Sequence, residues 1–202
     1  AFDLALTTEL AMNGDRSTLK VVRIGRPGDR GTVERVGRRV LGALSDVVRR
    51  LEIVQYEPPA VDRIEAGLLS EALDQEVGGH ILGITDIDLL DTSGTDFFSF
   101  MFGCKDSRND VAVVSTRRLA AREPQLSLAR LMKVALHEIG HNFGLVHHYS
   151  FQPVAANACC PMSKGTYNRH GERSYVRSVI DSRGLEFCGD CRSFLRRVHG
   201  FG

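Results

Sequence analysis

The chain has 202 residues, 43% of them hydrophobic and 25% charged, with a formal net charge of +1. That length supports a single full core, or one domain with a small appendage, without help from disulfides. A charge so near neutral carries no overall signature of a nucleic-acid or anionic-membrane partner, and no run approaches the roughly 20 apolar residues that a membrane helix needs.

The opening stretch AFDLALTTELAMNGD carries acids and no basic n-region. It does not read as a signal peptide, so a cytoplasmic location is expected. LKVVRI (19–24) predicts a strand, closed by the turn signal GRPGDRG. From Val33, apolar residues recur at Val36, Val40, Leu44, Val47 and Leu51, a helical period. The arginines between them (Arg35, Arg38, Arg39, Arg49 and Arg50) read as a solvated face. LEIVQY (51–56) predicts a second strand ended by Pro58 and Pro59, and residues 62–77 a helix stopped by Gly78 and Gly79.

HILGITDIDL (80–89) predicts a third strand, with Asp86 and Asp88 on one side of it as braces for a loop. FFSFMFG (97–103) and VAVVS (111–115) follow as fourth and fifth strands, and the short polar link between them makes that pair antiparallel. Cys104 reads as a buried free thiol. A long helix is expected from an N-cap at Ser127 to about Phe143. After Gly144 the periodicity disappears and Cys, Pro, Gly and Arg accumulate. The expected architecture is α/β: a mixed, mainly parallel twisted sheet with packed helices over residues 1–144, then a small irregular part over 145–202.

The string HEIGHNFGLVH (137–147) carries the chemistry. His137 and His141, four apart, stand on one helix face, nearly opposite an apolar stripe of Leu128, Met132, Ala135 and Ile139. His147 lies six residues further on, and Gly144 supplies the left-handed conformation that ends the helix and returns the chain. Three imidazoles leave the fourth position of a tetrahedral zinc open for water, the arrangement of a catalytic site. Glu138, too close to His137 to ligate easily, reads as the general base that takes the water's proton and returns it to a leaving amine.

This zinc motif followed by Met162 in CCPM resembles the metzincins, with Met162 as their Met-turn methionine, an apolar floor beneath the metal. Within them the chain is similar to the archaemetzincins, whose second, cysteine-rich zinc site begins after the third histidine and ends in C-x-x-C. Cys160 keeps the C-x-M spacing to Met162, and Cys188 and Cys191 supply CGDC. Upstream, ITDIDLL, FMFG and VAVVSTRRL resemble the family's strand segments. His148 stands where that family usually has a cysteine, and the spacings to Cys160 and Cys188 are longer than its usual pattern. The resemblance implies a structural zinc held by Cys160, Cys188, Cys191 and a fourth ligand, His148 in preference to Cys159.

The function implied is a zinc metallopeptidase with two zinc ions per chain, one catalytic and one structural, acting on peptides or proteins. By the same resemblance, substrate lies extended beside FFSFMFG or VAVVS, and Tyr167 and Tyr175 are minor candidates for stabilising an oxyanion. A monomer is expected. The alternatives are a catalytically latent zinc protein, or a binding module built on the C-terminal part. From Ser163 onward that part has eight Lys or Arg, Arg183 among them, against four acids. It lacks the aromatic interleaving of single-strand nucleic-acid binders.

Overall fold

The computed structural model describes residues 17–91, 101–105, 108–148, 159–163 and 175–200. A five-stranded sheet runs in the order β2-β1-β4-β7-β6. It comprises β1 (Thr18–Ile24), β2 (Arg50–Tyr56), β4 (His80–Thr85), β6 (Gly103–Lys105) and β7 (Val111–Ser115). Pairings β1–β2, β1–β4 and β4–β7 are parallel, and β6 joins β7 antiparallel at the edge. Strands β3 (Arg63–Glu65) and β5 (Asp88–Leu90) form a separate parallel pair. The sheet is therefore mixed and mainly parallel.

Alternation along the strands divides the core into two layers. Leu19, Val21, Leu82, Ile84, Ala112 and Val114 face helices α1 (Arg30–Ala43) and α3 (Pro124–Asn142). Val22, Ile24, Ile81, Val111 and Val113 face α2 (Ala66–Glu76). Helix α1 starts at Asp29, whose Oδ1 accepts from Thr32 N at 2.6 Å. It buries Val33, Val36 and Val40 as the period requires, and Leu44 and Val47 are buried just beyond its end. Leu51, at the tail of that period, belongs instead to β2.

Three element boundaries differ from the sequence reading. The expected strand 80–89 breaks after Thr85, and its last residues leave for β5. Asp86 and Asp88 therefore do not share one strand face. Asp88 is a brace: it is 5% exposed and accepts both Nε and Nη2 of Arg118, each at 2.7 Å. At the sheet edge, pairing falls on Gly103–Lys105, partly within the expected turn, while residues 97–100 lie outside the described residues. Helix α3 begins three residues before Ser127, because Pro124 at its first turn needs no N–H partner. Ser127 Oγ instead accepts from Ala121 N.

The C-terminal segments share the α1–α3 core. A π-helical turn (Val176–Ile180) and helix α4 (Gly189–His199) contribute Val176, Ile180, Cys191 and Leu195. Buried Arg130 of α3 grips Asp181 with Nε and Nη2, both at 2.8 Å, and Lys133 Nζ donates to Asp181 O at 2.7 Å. Arg39 of α1 donates to Leu185 O and Glu186. Among the described residues, no helix is long and apolar enough to cross a membrane. Removing one partner of a buried ion pair strands the other charge. Asp181→Ala is thus expected to lower stability by on the order of 3 kcal/mol in urea unfolding. A loss below about 1 kcal/mol would mark the pair as no stronger than a surface contact.

Candidate metal centres and active site

Helix α3 turns Leu131, Val134, Ala135 and Ile139 inward, all at most 2% exposed, with Leu128 and Met132 only partly buried. Its C-terminal end is held by Asn142, whose Nδ2 donates to Asp110 O at 2.8 Å and Ile81 O at 3.3 Å. Gly144 follows with φ +77°, and the returning chain brings His147 Nε2 to 3.1 Å from the Nε2 atoms of both His137 and His141.

The tautomers of two of these rings are decided by their other nitrogens. His137 Nδ1 lies 2.8 Å from Pro161 O, and His141 Nδ1 lies 2.7 Å from Leu145 O. A carbonyl oxygen only accepts, so both Nδ1 atoms carry hydrogen and each Nε2 of the neutral ring presents a lone pair. Neutral rings are favoured here. Burial pushes His137 well below the usual histidine value, helped by the charge of Arg183, and burial lowers His141 as well. Lone pairs that converge without a proton between them repel, and a cation relieves them. Tetrahedral zinc with Zn–N bonds near 2.05 Å sets its nitrogens about 3.3 Å apart, close to the separation seen here.

A second group lies across the Cys160–Ser163 segment. His148 Nε2 is 3.1 Å from Cys191 Sγ and 3.3 Å from Cys188 Sγ, and Cys160 Sγ is 3.9 Å from Cys191 Sγ. All four ligand atoms fall within 4.8 Å of one another. Tetrahedral zinc spaces thiolate sulfurs by about 3.8 Å, so this donor set also fits the ion. The Cys160 thiol is held well below the usual cysteine value, first by a hydrogen bond from the Cys191 thiol and further by backbone bonds from Cys188 and Met162. Cys159 is exposed and belongs to neither group.

Met162 is fully buried, and a Cβ added at Gly140 would come within 2.6 Å of its Sδ. The methionine thus lies directly against the helix turn that carries the first two histidines. Glu138 sits beside the edge strand. Desolvation pushes its carboxyl up to about 7, while the charge of Arg183 acts the other way. A carboxyl in that range can both take and return a proton near neutral pH.

The sequence profile of peptidase family M54 matches residues 53–165, more than half of the chain, and spans all three histidines and Met162. The chain belongs to peptidase family M54. The archaemetzincin of Methanopyrus kandleri is 28% identical over 173 residues, covering 82% of this chain and 86% of that protein. The archaemetzincin of Pyrococcus furiosus is 36% identical over 130 residues, covering 60% of this chain and 56% of that one. The crystal structure of the Methanopyrus kandleri archaemetzincin superposes with a TM-score of 0.65 at 26% identity, covering 91% of this chain and 97% of that one. The M54 chain is accordingly a zinc-dependent metallopeptidase of the archaemetzincin kind, and the match in fold bears out the mixed, mainly parallel sheet.

Several features of this peptidase escape a reading of its sequence. Arg183, counted there among surface cations, is 5% exposed, and its Nε donates to Ser163 O at 2.9 Å. Nothing in its irregular surroundings marks it as buried. VAVVS is hydrogen-bonded on both sides, to β4 and β6, and so has no free edge for a substrate. The edge is β6. Tyr175 stacks on Phe102 at 5.7 Å, whereas Tyr167 lies outside the described residues. At Gly144, an added Cβ would meet only the Phe194 ring, at 3.5 Å, so the positive φ and not lack of room demands glycine. Gly144→Ala should therefore cost about 1–2 kcal/mol in chemical unfolding, and Gly144→Asn less. Equal losses for the two variants would refute the conformational argument.

Proposed function

We propose that the M54 chain hydrolyses peptide bonds at the three-histidine centre, with Glu138 as the general base. The convergence of three Nε2 atoms, two of them held unprotonated by their ring's other hydrogen bond, beside one carboxyl carries this reading. His137, His141 and His147 would hold the catalytic zinc. Zinc supplies Lewis acidity at such a site, making water a competent nucleophile near neutral pH and polarising a carbonyl.

The remaining work falls to the chain's own groups. The carbonyls of Pro161 and Leu145 hold the His137 and His141 rings in the ligating tautomer. Glu138 accepts the proton of the attacking water on its carboxylate and delivers it to the leaving amine. Substrate lies extended along β6, the edge strand among the described residues, where main-chain groups bind it in register and side chains alternate across the cleft. Met162 excludes water from beneath the histidines. A second zinc would be held by His148, Cys160, Cys188 and Cys191, joining residues 145–202 to the active-site half at 1–144. Five cysteines outside any disulfide, three of them gathered for a metal, suit a reducing compartment such as the cytoplasm.

Two tests follow. Glu138→Ala should retain both metals yet lose about 10²–10⁴ in hydrolytic rate, whereas His141→Ala should lose the catalytic metal. Parent-like cleavage by the Glu138 variant would remove the proposed base. For the second centre, freshly prepared protein should contain two zinc ions, with the three-histidine zinc the first to leave on chelation because its fourth position is open. His148→Ala should then release the remaining zinc, His148→Cys retain it and Cys159→Ser leave it untouched. Release by Cys159→Ser but not by His148→Ala would make the site all-cysteine.

A further inference from the structure

The Glu138 side chain is confined between two elements that proton transfer does not by itself call for. On one side is the edge strand. A Cβ built at Gly103 would lie 2.6 Å from Glu138 Cγ, 3.0 Å from Val114 Cγ1 and 3.1 Å from Val113 O. Non-bonded carbons rest at about 3.5–4.0 Å, so only a glycine lets this backbone lie directly against the acid. Val113 and Val114 belong to a fully buried strand and cannot give way cheaply.

On the other side is Arg183. Its charge is buried, and among the described residues it makes no ion pair. A guanidinium out of water needs compensation; the Glu138 carboxylate favours its charge, and it in turn favours the charged form of Glu138. Its Nε is used on Ser163 O, which ties it to the segment whose Pro161 carbonyl holds His137. Tyr175, which favours the charge of the same guanidinium, stacks on Phe102, the residue before Gly103. The two walls are thus linked to each other around the acid.

We propose that Gly103 is a positioning residue of the hydrolytic reaction, its closely packed backbone holding Glu138 in one conformation beside the histidines, with the charge of the buried Arg183 as a second restraint. This inference rests on the reading of Glu138 as general base. Arg183 is buried, and Gly103 would meet the substrate only through main-chain groups of β6 that alanine retains, so loss of either misplaces the acid without weakening ground-state binding.

The test measures kcat and KM on a fluorogenic peptide, with zinc content and the thermal midpoint recorded for every variant. Arg183→Gln and Gly103→Ala should each lower kcat about 10–100-fold with KM and zinc content unchanged. Arg183→Lys, which keeps the charge, should recover most of the loss. In a Glu138→Gln background neither substitution should lower the residual rate further, since no base is left to position. Losses that multiply in that background, an unchanged kcat in the single variants, or a fall in activity matched by loss of zinc would each overturn the inference. Should Arg183→Gln fail to fold, Gly103→Ala and Arg183→Lys decide it by the same criteria. A fully active Glu138→Gln enzyme would sink the general-base reading as well. An inactive Glu138→Gln combined with multiplying losses would sink the positioning role alone.

Discussion

The bond from His137 Nδ1 to the carbonyl of Pro161 is the contact on which the rest of the site depends. It selects the tautomer that turns an unprotonated Nε2 toward the other histidines, and it does so from a segment in which every residue is committed. Cys160 belongs to the cysteine–histidine group, Met162 lies under the active-site helix, and Met162 O accepts from His148 N at 2.9 Å. Ser163 O accepts from Arg183. Four residues thus carry contacts to both groups of metal-type donors, so neither group is positioned independently of the other.

That segment can be exact only because its surroundings are rigid. Helix α3 is fastened at its C-terminal end, by Asn142 to the carbonyls of Ile81 and Asp110, and at its middle, by Arg130 and Lys133 to Asp181. Its apolar stripe lies against β4 and β7, whose side chains are all buried, so the histidines project from a helix with no freedom to roll. Arg39 adds a tie from α1 to the chain just before Cys188. The described segments of the C-terminal part, irregular in sequence, share that core.

His148 illustrates how a departure from a family's pattern can be absorbed. An imidazole reaches further from its backbone than a thiol, and here its Nε2 arrives among three sulfurs while its backbone pairs with Ser163. Cys159, adjacent to Cys160, cannot aim its side chain into the same group and stands exposed. The chemistry of four soft or borderline donors is preserved with one fewer negative charge.

What the sequence determined by itself was the chemistry and the local periodicities. His137 and His141 are brought together by helical spacing, Gly144 by the positive φ that a turn back requires, and β1, α1, β2 and β7 by alternation and the 3.6-residue period; all of these are local properties. The break after Thr85 and the register of the edge strand were not legible, because they depend on which sheet accepts a strand and not on the strand's own residues. The burial of Arg183, the approach of Gly103 to Glu138 and the carbonyls that set the histidine tautomers were decided only by tertiary structure. Apart from the local contact of His141 with the Leu145 carbonyl, each joins residues distant in the chain through a backbone group or a bare Cα. Such contacts leave no pattern in residue type, and packing alone brings them into being.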